Sequence, residues 1–298
     1  MGNNLKEIRR KISSVQNTQK TTKAMKLVST SKLKKAEEVA KSSRVFANKL
    51  SEVFQEIVQK LALVGFENIN TPIFNASKPR ELRNIDMIVI TAEKGLCGSF
   101  NQSTIKEAMR LIDNYKKKGV SVRLRGIGKK GISYFSYNNV GLLDSLEGLS
   151  SSPDYQISSN FLKRSLEDFI NGTTDGLILV YNGFKTMISQ EIKVKQFLPF
   201  SFDVEKRELP VGIDDLEPQE NAEQILEELA QKYMEYNLYY ALLDSLVAEH
   251  SARVQAMDSA TSNAGNLVKS LTVSYNKARQ EAITTELVEI NAGVEAMK

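Results

Sequence analysis

From Asn3 to Val64 the chain contains neither glycine nor proline, and apolar side chains recur there on a strict three-four spacing. The series runs Leu5, Ile8, Ile12, Val15, Gln19, Thr22, Lys26, Ser29, Leu33, Ala36, Ala40, Ser43, Ala47, Leu50, Phe54, Ile57, Leu61 and Val64. Thirteen of these 18 positions are apolar, where a composition of 41% hydrophobic residues would place about seven. Such a stripe predicts one long helix, opened by Asn4 and Glu7 in a capping-box spacing and stopped at Gly65.

The pattern returns between about 221 and 298. A second seam visits Ala222, Leu226, Leu229, Tyr233, Tyr236, Tyr240, Leu243, Val247, His250, Val254, Met257, Thr261, Ala264, Val268, Leu271 and Tyr275, then Ala278, Ala282, Thr285, Glu289, Ala292 and Ala296. Beyond Tyr275 a stripe of Ile283, Leu287, Ile290 and Val294 is more apolar, as a one-residue stutter would produce. At 1.5 Å per residue the arms would run about 93 and 117 Å, too long for the interior of a globule of this size. Two helices with one apolar stripe each, leaving the same middle segment, predict an intramolecular antiparallel coiled coil. With aligned bases the second arm would outrun the first beyond about Val273.

The period changes in the middle, which holds all six prolines and 12 of the 16 glycines. Residues 85–91, 120–127, 175–184 and 191–200 read as strands, separated by helical patterns near 101–118, 129–137 and 157–171. The alternation predicts a doubly wound, Rossmann-like α/β sheet, mainly parallel, with 191–200 antiparallel to 175–184. Three parts follow: an N-terminal helix (1–65), an α/β sheet domain (66–218) and a C-terminal helix (219–298).

Charge sharpens this picture more than composition does. A net charge of +4 is only mildly basic, but residues 1–35 carry ten basic side chains against Glu7 alone. Residues 203–249 carry 13 acidic against three basic. A basic run can simply solvate a helix face; the same run also fits an acidic partner around the shaft. The first seam turns polar at Gln19, Thr22, Lys26 and Ser29, where either register fixing or partner contact by Lys20, Lys23 and Met25 explains it. His250 and the run Tyr233, Tyr236, Tyr239 and Tyr240 read as seam and flank packing.

One cysteine, Cys97, and one histidine, His250, leave no material for a Cys/His zinc site or a histidine-based triad. No apolar run approaches the ~20 residues that span a bilayer. The loop from Glu93 to Asn101 follows the first strand, where dinucleotide-binding sheets place their glycine turn. It lacks both phosphate-loop spacings, and the second strand carries Arg123 and Arg125 where a ribose-binding acid would stand. Tight turn packing and a nucleotide loop are both open at this point. So are a structural coiled-coil protein with a hinge domain and an enzyme whose helical arm grips RNA, although no catalytic constellation is visible.

Three segments carry a resemblance. Leu5–Leu33 (LKEIRRKISSVQNTQKTTKAMKLVSTSKL), Ser251–Ile290 with its SARVQAMDSATSNA and SYNKARQEAITTELVEI blocks, and the GLCG turn at Gly95–Gly98 resemble the gamma subunit of the F-type ATP synthases. The resemblance implies a central rotor stalk that couples proton flow through a membrane c-ring to ATP synthesis or hydrolysis. It further implies alpha, beta and epsilon subunits and the c-ring as partners, no nucleic acid, no direct membrane insertion, no cofactor, no catalysis by this chain itself, and a peripheral place on the cytoplasmic face of the membrane. Carried over by motif, Lys20, Lys23, Met25, Lys26 and Arg253 face the acidic lever of beta, and Arg279, Gln280, Thr284 and Glu286 meet beta higher up. Cys97 would lie at a shoulder facing beta, and the stretch Asp214–Pro218 in the foot.

Overall fold

The computed structural model describes residues 2–64, 71–77, 81–200 and 222–297, with the side chains of 2–4, 59–64, 75–76, 222–223 and 295 left aside. Gly65 and the Asp214–Pro218 stretch lie outside the described residues. The chain forms two compact units, Met1–Ser31 with Arg253–Lys298, and Lys32–Ala252. Two long helices, α1 (Gly2–Val64) and α6 (Ala222–Glu295), contribute to both.

In the first unit α1 and α6 lie antiparallel. Thr22 meets Thr261 hydroxyl to hydroxyl at 2.8 Å, and Lys26 meets Asp258 at 2.6 Å. Every seam position from Leu5 to Ser29 is shielded at least in part, while Lys6, Arg9, Arg10, Lys20 and Lys23 are exposed. On α6 the shielded series is Val254, Met257, Thr261, Ala264, Val268, Leu271, Tyr275, Ala278, Ala282 and Thr285. Two expectations are corrected here. The seam does not stutter, because Ala278, Ala282 and Thr285 keep the original phase while Ile283, Leu287 and Ile290 stay about half-exposed. Among the described residues the pairing of α6 therefore ends after Thr285 rather than near Val273, with Glu289, Ala292 and Ala296 of the expected seam exposed, since the observed register sets Thr22 opposite Thr261 and leaves a shorter overhang.

The second unit is built on a five-stranded sheet of order β3-β2-β1-β4-β5, with β1 (Asn84–Ile90), β2 (Ser121–Ile127), β3 (Leu142–Leu146), β4 (Gly176–Phe184) and β5 (Gln190–Leu198). All neighbours are parallel except β4 and β5. Strand β3 escaped the sequence reading because it is a short edge strand without a β-branched residue. The other elements are the one-turn α2 (Pro72–Ala76), α3 (Phe100–Lys117), α4 (Lys129–Tyr137) and α5 (Tyr155–Ile170). Helix α5 starts two residues earlier than the apolar pattern because the Asp154 side chain accepts from the Ile157 N–H at 2.8 Å and caps it.

Alternation on the strands sorts the core into two layers. Ile85, Met87, Val89, Ile178 and Val180 pack against Ile105 and Ala108 of α3 and Phe135 of α4. Ile88, Ile90, Leu177, Leu179 and Tyr181 face Leu162, Leu166 and Phe169 of α5 and Met234, Leu238, Ala241 and Leu242 of α6. The tyrosines of α6 join this packing: Tyr233 stacks on Phe54 of α1 at 4.4 Å between ring centres, and Tyr239 meets Tyr155 edge-on at 5.9 Å. Glu235, also on α6, is enclosed. Its carboxylate accepts from the Tyr155 hydroxyl and from the Gln231 amide, both at 2.7 Å, and from Lys232 at 3.0 Å. Burial would raise its pKa, but the donors from Gln231, Tyr155, Ser159 and Lys232 together hold it below the usual carboxylate value.

Candidate partner-facing surfaces and a filled switch point

In a doubly wound sheet a ligand crevice opens where the connections diverge, beyond the carboxyl ends of β1 and β4. Here that place is occupied by the chain itself. Ala92, Cys97 and Phe100 from the turn after β1 pack with Phe184 at the end of β4 against Ala248 and Ala252 of α6. Small residues on the helix let it approach closely. Cys97 is accordingly 1% exposed, its sulfur accepting from the Asn101 amide at 3.2 Å. The outward member of the turn is Leu96, 62% exposed and in the left-handed region at φ +62°.

The neighbouring turn is closed as well. Gly128, at φ +95°, opens α4 so near Thr91 that a Cβ would stand 2.0 Å from the Thr91 carbonyl oxygen. Where a phosphate could cap α4, the Glu93 carboxylate accepts from the N–H groups of Lys129 at 3.3 Å and Gly148 at 2.8 Å and from the Ser150 hydroxyl at 2.9 Å. An internal anion thus fills the anion-binding position.

Arg123 and Arg125 of β2 are engaged beneath the sheet. Arg123 binds Asp86 of β1 through two nitrogens at 2.6 and 3.0 Å, and Arg125 binds Asp86 at 2.9 Å and Asp168 of α5 at 2.6 Å. Arg123 also reaches Asp168, and its own pKa is raised chiefly by the Asp86 carboxylate. The cluster fastens α5 to the sheet and was hidden in the sequence, where a period of two puts Arg123 and Arg125 on one face of β2 without telling which residue of β1 lies beside them. Both arginines are consumed by structure, so the nucleotide-loop reading has no geometry to rest on.

Most of the outward-facing candidate residues lie in the first unit. Lys20 and Lys23 are exposed and Met25 is half-buried on α1. Lys26 is tied to Asp258 at the rim of the helix pair with its side chain still 37% exposed, and Arg253 is 7% exposed. On α6, Arg279, Gln280, Thr284 and Glu286 are all exposed. Gln280 and Thr284 share one helix face, and Arg279 and Glu286, seven residues apart, share another. Among the described residues no helix is long and apolar enough to cross a membrane.

Comparison with known proteins agrees with this architecture. A family model described as ATP synthase matches residues 4–297. The ATP synthase gamma chain of Wolinella succinogenes is 60% identical over the whole of both chains, and that of Helicobacter pylori strain P12 is 55% identical over 99% of each. Among solved structures, a chain of the Euglena gracilis mitochondrial ATP synthase (OSCP/F1/c-ring) covers all of this chain and 95% of its own at a TM-score of 0.68 and 16% identity. A chain of the Tetrahymena thermophila mitochondrial ATP synthase central stalk/c-ring, 26% identical, covers 80% and 99% at 0.57. With its paired terminal helices, its mixed sheet and a sequence match that runs from end to end, the chain belongs to the ATP synthase gamma chain family.

Proposed function

We propose that this chain is the central rotor shaft of a proton-translocating F-type ATP synthase, lying at the cytoplasmic face of the membrane as a peripheral, non-catalytic subunit. Its paired helices stand within the ring of alpha and beta subunits, and its sheet unit meets the epsilon subunit and the c-ring. Full-length membership of the gamma chain family carries the reading. The geometry supports it: the crevice where an enzyme of this sheet type would bind a nucleotide is filled by the turn after β1 and by α6, and Glu93 occupies the anion position at the start of α4. What the chain offers instead is a stiff two-helix surface whose faces differ. Orientation of such a surface biases otherwise equivalent sites, because a partner's conformational equilibrium shifts only by its differential contacts with each face.

Partner contact is assigned to Lys20, Lys23 and Met25 on α1, to Arg279, Gln280, Thr284 and Glu286 on α6, and to the turn that Cys97 anchors and Leu96 presents. Lys26 pairs with Asp258 across the two helices and keeps part of its side chain open to a partner, while Arg253 is largely enclosed. The test is reconstitution of the complete ATP synthase in vesicles with and without this chain, reading ATP-driven proton uptake. Uptake with the chain and none without it is expected. Replacing Lys20 and Lys23 together by Gln should weaken assembly in a salt-dependent way, each exposed contact being worth about 0–1 kcal/mol. A double variant that assembles and pumps like the parent at every salt concentration would refute the basic-surface assignment.

A further inference from the structure

Helix α6 touches the sheet through two kinds of contact. Met234, Leu238, Ala241 and Leu242 pack apolar on the strands. Beside them stand Asn237, Asp244 and Ser251, spaced by seven, and each meets the β4–β5 hairpin at a different level. Lys195 donates to the Asn237 Oδ1 at 3.3 Å. Lys193 donates to Asp244 Oδ2 at 2.7 Å, while the Phe184 N–H donates to Asp244 Oδ1 at 3.3 Å. The Ser251 hydroxyl donates to the Met187 carbonyl at 2.9 Å. Seven residues are about two helical turns, so the three rungs lie along one line of the helix about 10 Å apart.

Space for the middle rung is made by Gly183. A Cβ there would stand 2.5 Å from Asp244 Oδ2 and 2.7 Å from Lys193 Cε. Burial of apolar area is non-directional, and a helix can slide or roll on such a surface with little change in the area covered. Hydrogen bonds and ion pairs have defined lengths and angles, and a buried pair contributes little net stability compared with an apolar replacement of the same shape. The ladder therefore contributes geometry more than adhesion.

We propose that Asn237, Asp244 and Ser251 key α6 to the β4–β5 hairpin against sliding and rolling, so that sheet and helix turn as one body under load. Lys193 and Asp244 are then positioning residues for coupling. This rests on the rotor reading above. The test uses the complete ATP synthase in vesicles, comparing ATP hydrolysis with ATP-driven proton uptake for the parent chain and for Lys193→Met with Asp244→Leu, a change that keeps side-chain shape.

The pair of changes is expected to leave thermal unfolding of the chain unchanged or raised while proton uptake per ATP hydrolysed is lost in part. Gly183→Ala, which wedges the intact pair apart, should produce the same loss, and Lys193→Arg should retain parental coupling. If the double variant fails to assemble, Gly183→Ala carries the test alone. A parent that pumps alongside variants that pump equally well per ATP would overturn the ladder proposal and leave the rotor reading standing. A parent that assembles without pumping would overturn the rotor reading itself.

Discussion

Thr22 of α1 and Thr261 of α6 face each other across the helix pair with their hydroxyl oxygens 2.8 Å apart, at a level where a heptad seam would ordinarily be apolar. Each hydroxyl is also within reach of a carbonyl of its own helix, Gln19 for Thr22 at 3.1 Å and Met257 for Thr261 at 2.7 Å. With Lys26 on Asp258 one turn away, two positions of the polar interval are paired across the helices and mark their register.

Replacing one of these threonines by Val removes one partner of a shared hydrogen bond. Either Thr22→Val or Thr261→Val is expected to cost about 1 kcal/mol in denaturant unfolding, and the double change clearly less than the sum of the two. Strict additivity would show that the hydroxyls do not act as a pair.

Gly128→Ala is expected to be among the most damaging single-methyl changes in the sheet unit. The added Cβ meets the Thr91 carbonyl at 2.0 Å, a backbone atom that cannot turn away, and φ is +95°. A loss of about 3 kcal/mol or more follows from strain of both kinds. Gly119→Ala, which meets no atom within 4 Å despite a positive φ, isolates the backbone part and should cost about 1–2 kcal/mol. Equal losses at the two positions, measured by thermal unfolding, would contradict the steric account.

The Glu235 carboxylate is held below its ordinary pKa, so it contributes stability that is present above the ordinary carboxylate range and lost as pH falls through the folded value. Tyr155→Phe takes away the donor at 2.7 Å and should cost about 1.5–3 kcal/mol near neutrality, the range for hydrogen bonds to a charged group. That deficit should shrink as the pH is lowered into the carboxylate range, where Glu235 becomes neutral in both chains. A deficit that stays constant between neutral and acid pH would refute the linkage.

The half-exposed stripe of Ile283, Leu287, Ile290 and Val294 lies on the far side of the α6 seam or beyond its end. Leu287→Gln with Ile290→Gln should therefore alter unfolding of the isolated chain by no more than about 0.5 kcal/mol. The same change should weaken assembly with alpha and beta if those subunits cover the stripe. A large loss of stability in the isolated chain would place these side chains in an internal seam after all.

The two long helices were legible because a three-four repeat is a local property. Every position of the first seam from Leu5 to Ile57 is shielded, including the polar ones. The parallel sheet with its antiparallel last strand was legible too, from runs of β-branched residues separated by helical spacing. An apolar stripe states that a face will be covered, and says nothing of what covers it, because sliding one helix by seven residues leaves the pattern intact. Register was decided by contacts between residues far apart in the chain, such as Thr22 with Thr261 and Lys26 with Asp258, and with it the true end of the pairing. The burial of Cys97 beneath Ala248 and Ala252, and the engagement of Arg123 and Arg125 with Asp86 and Asp168, belong to the same class. Each depends on which elements meet in space, and electrostatic and steric complementarity at those meetings has no period along the chain.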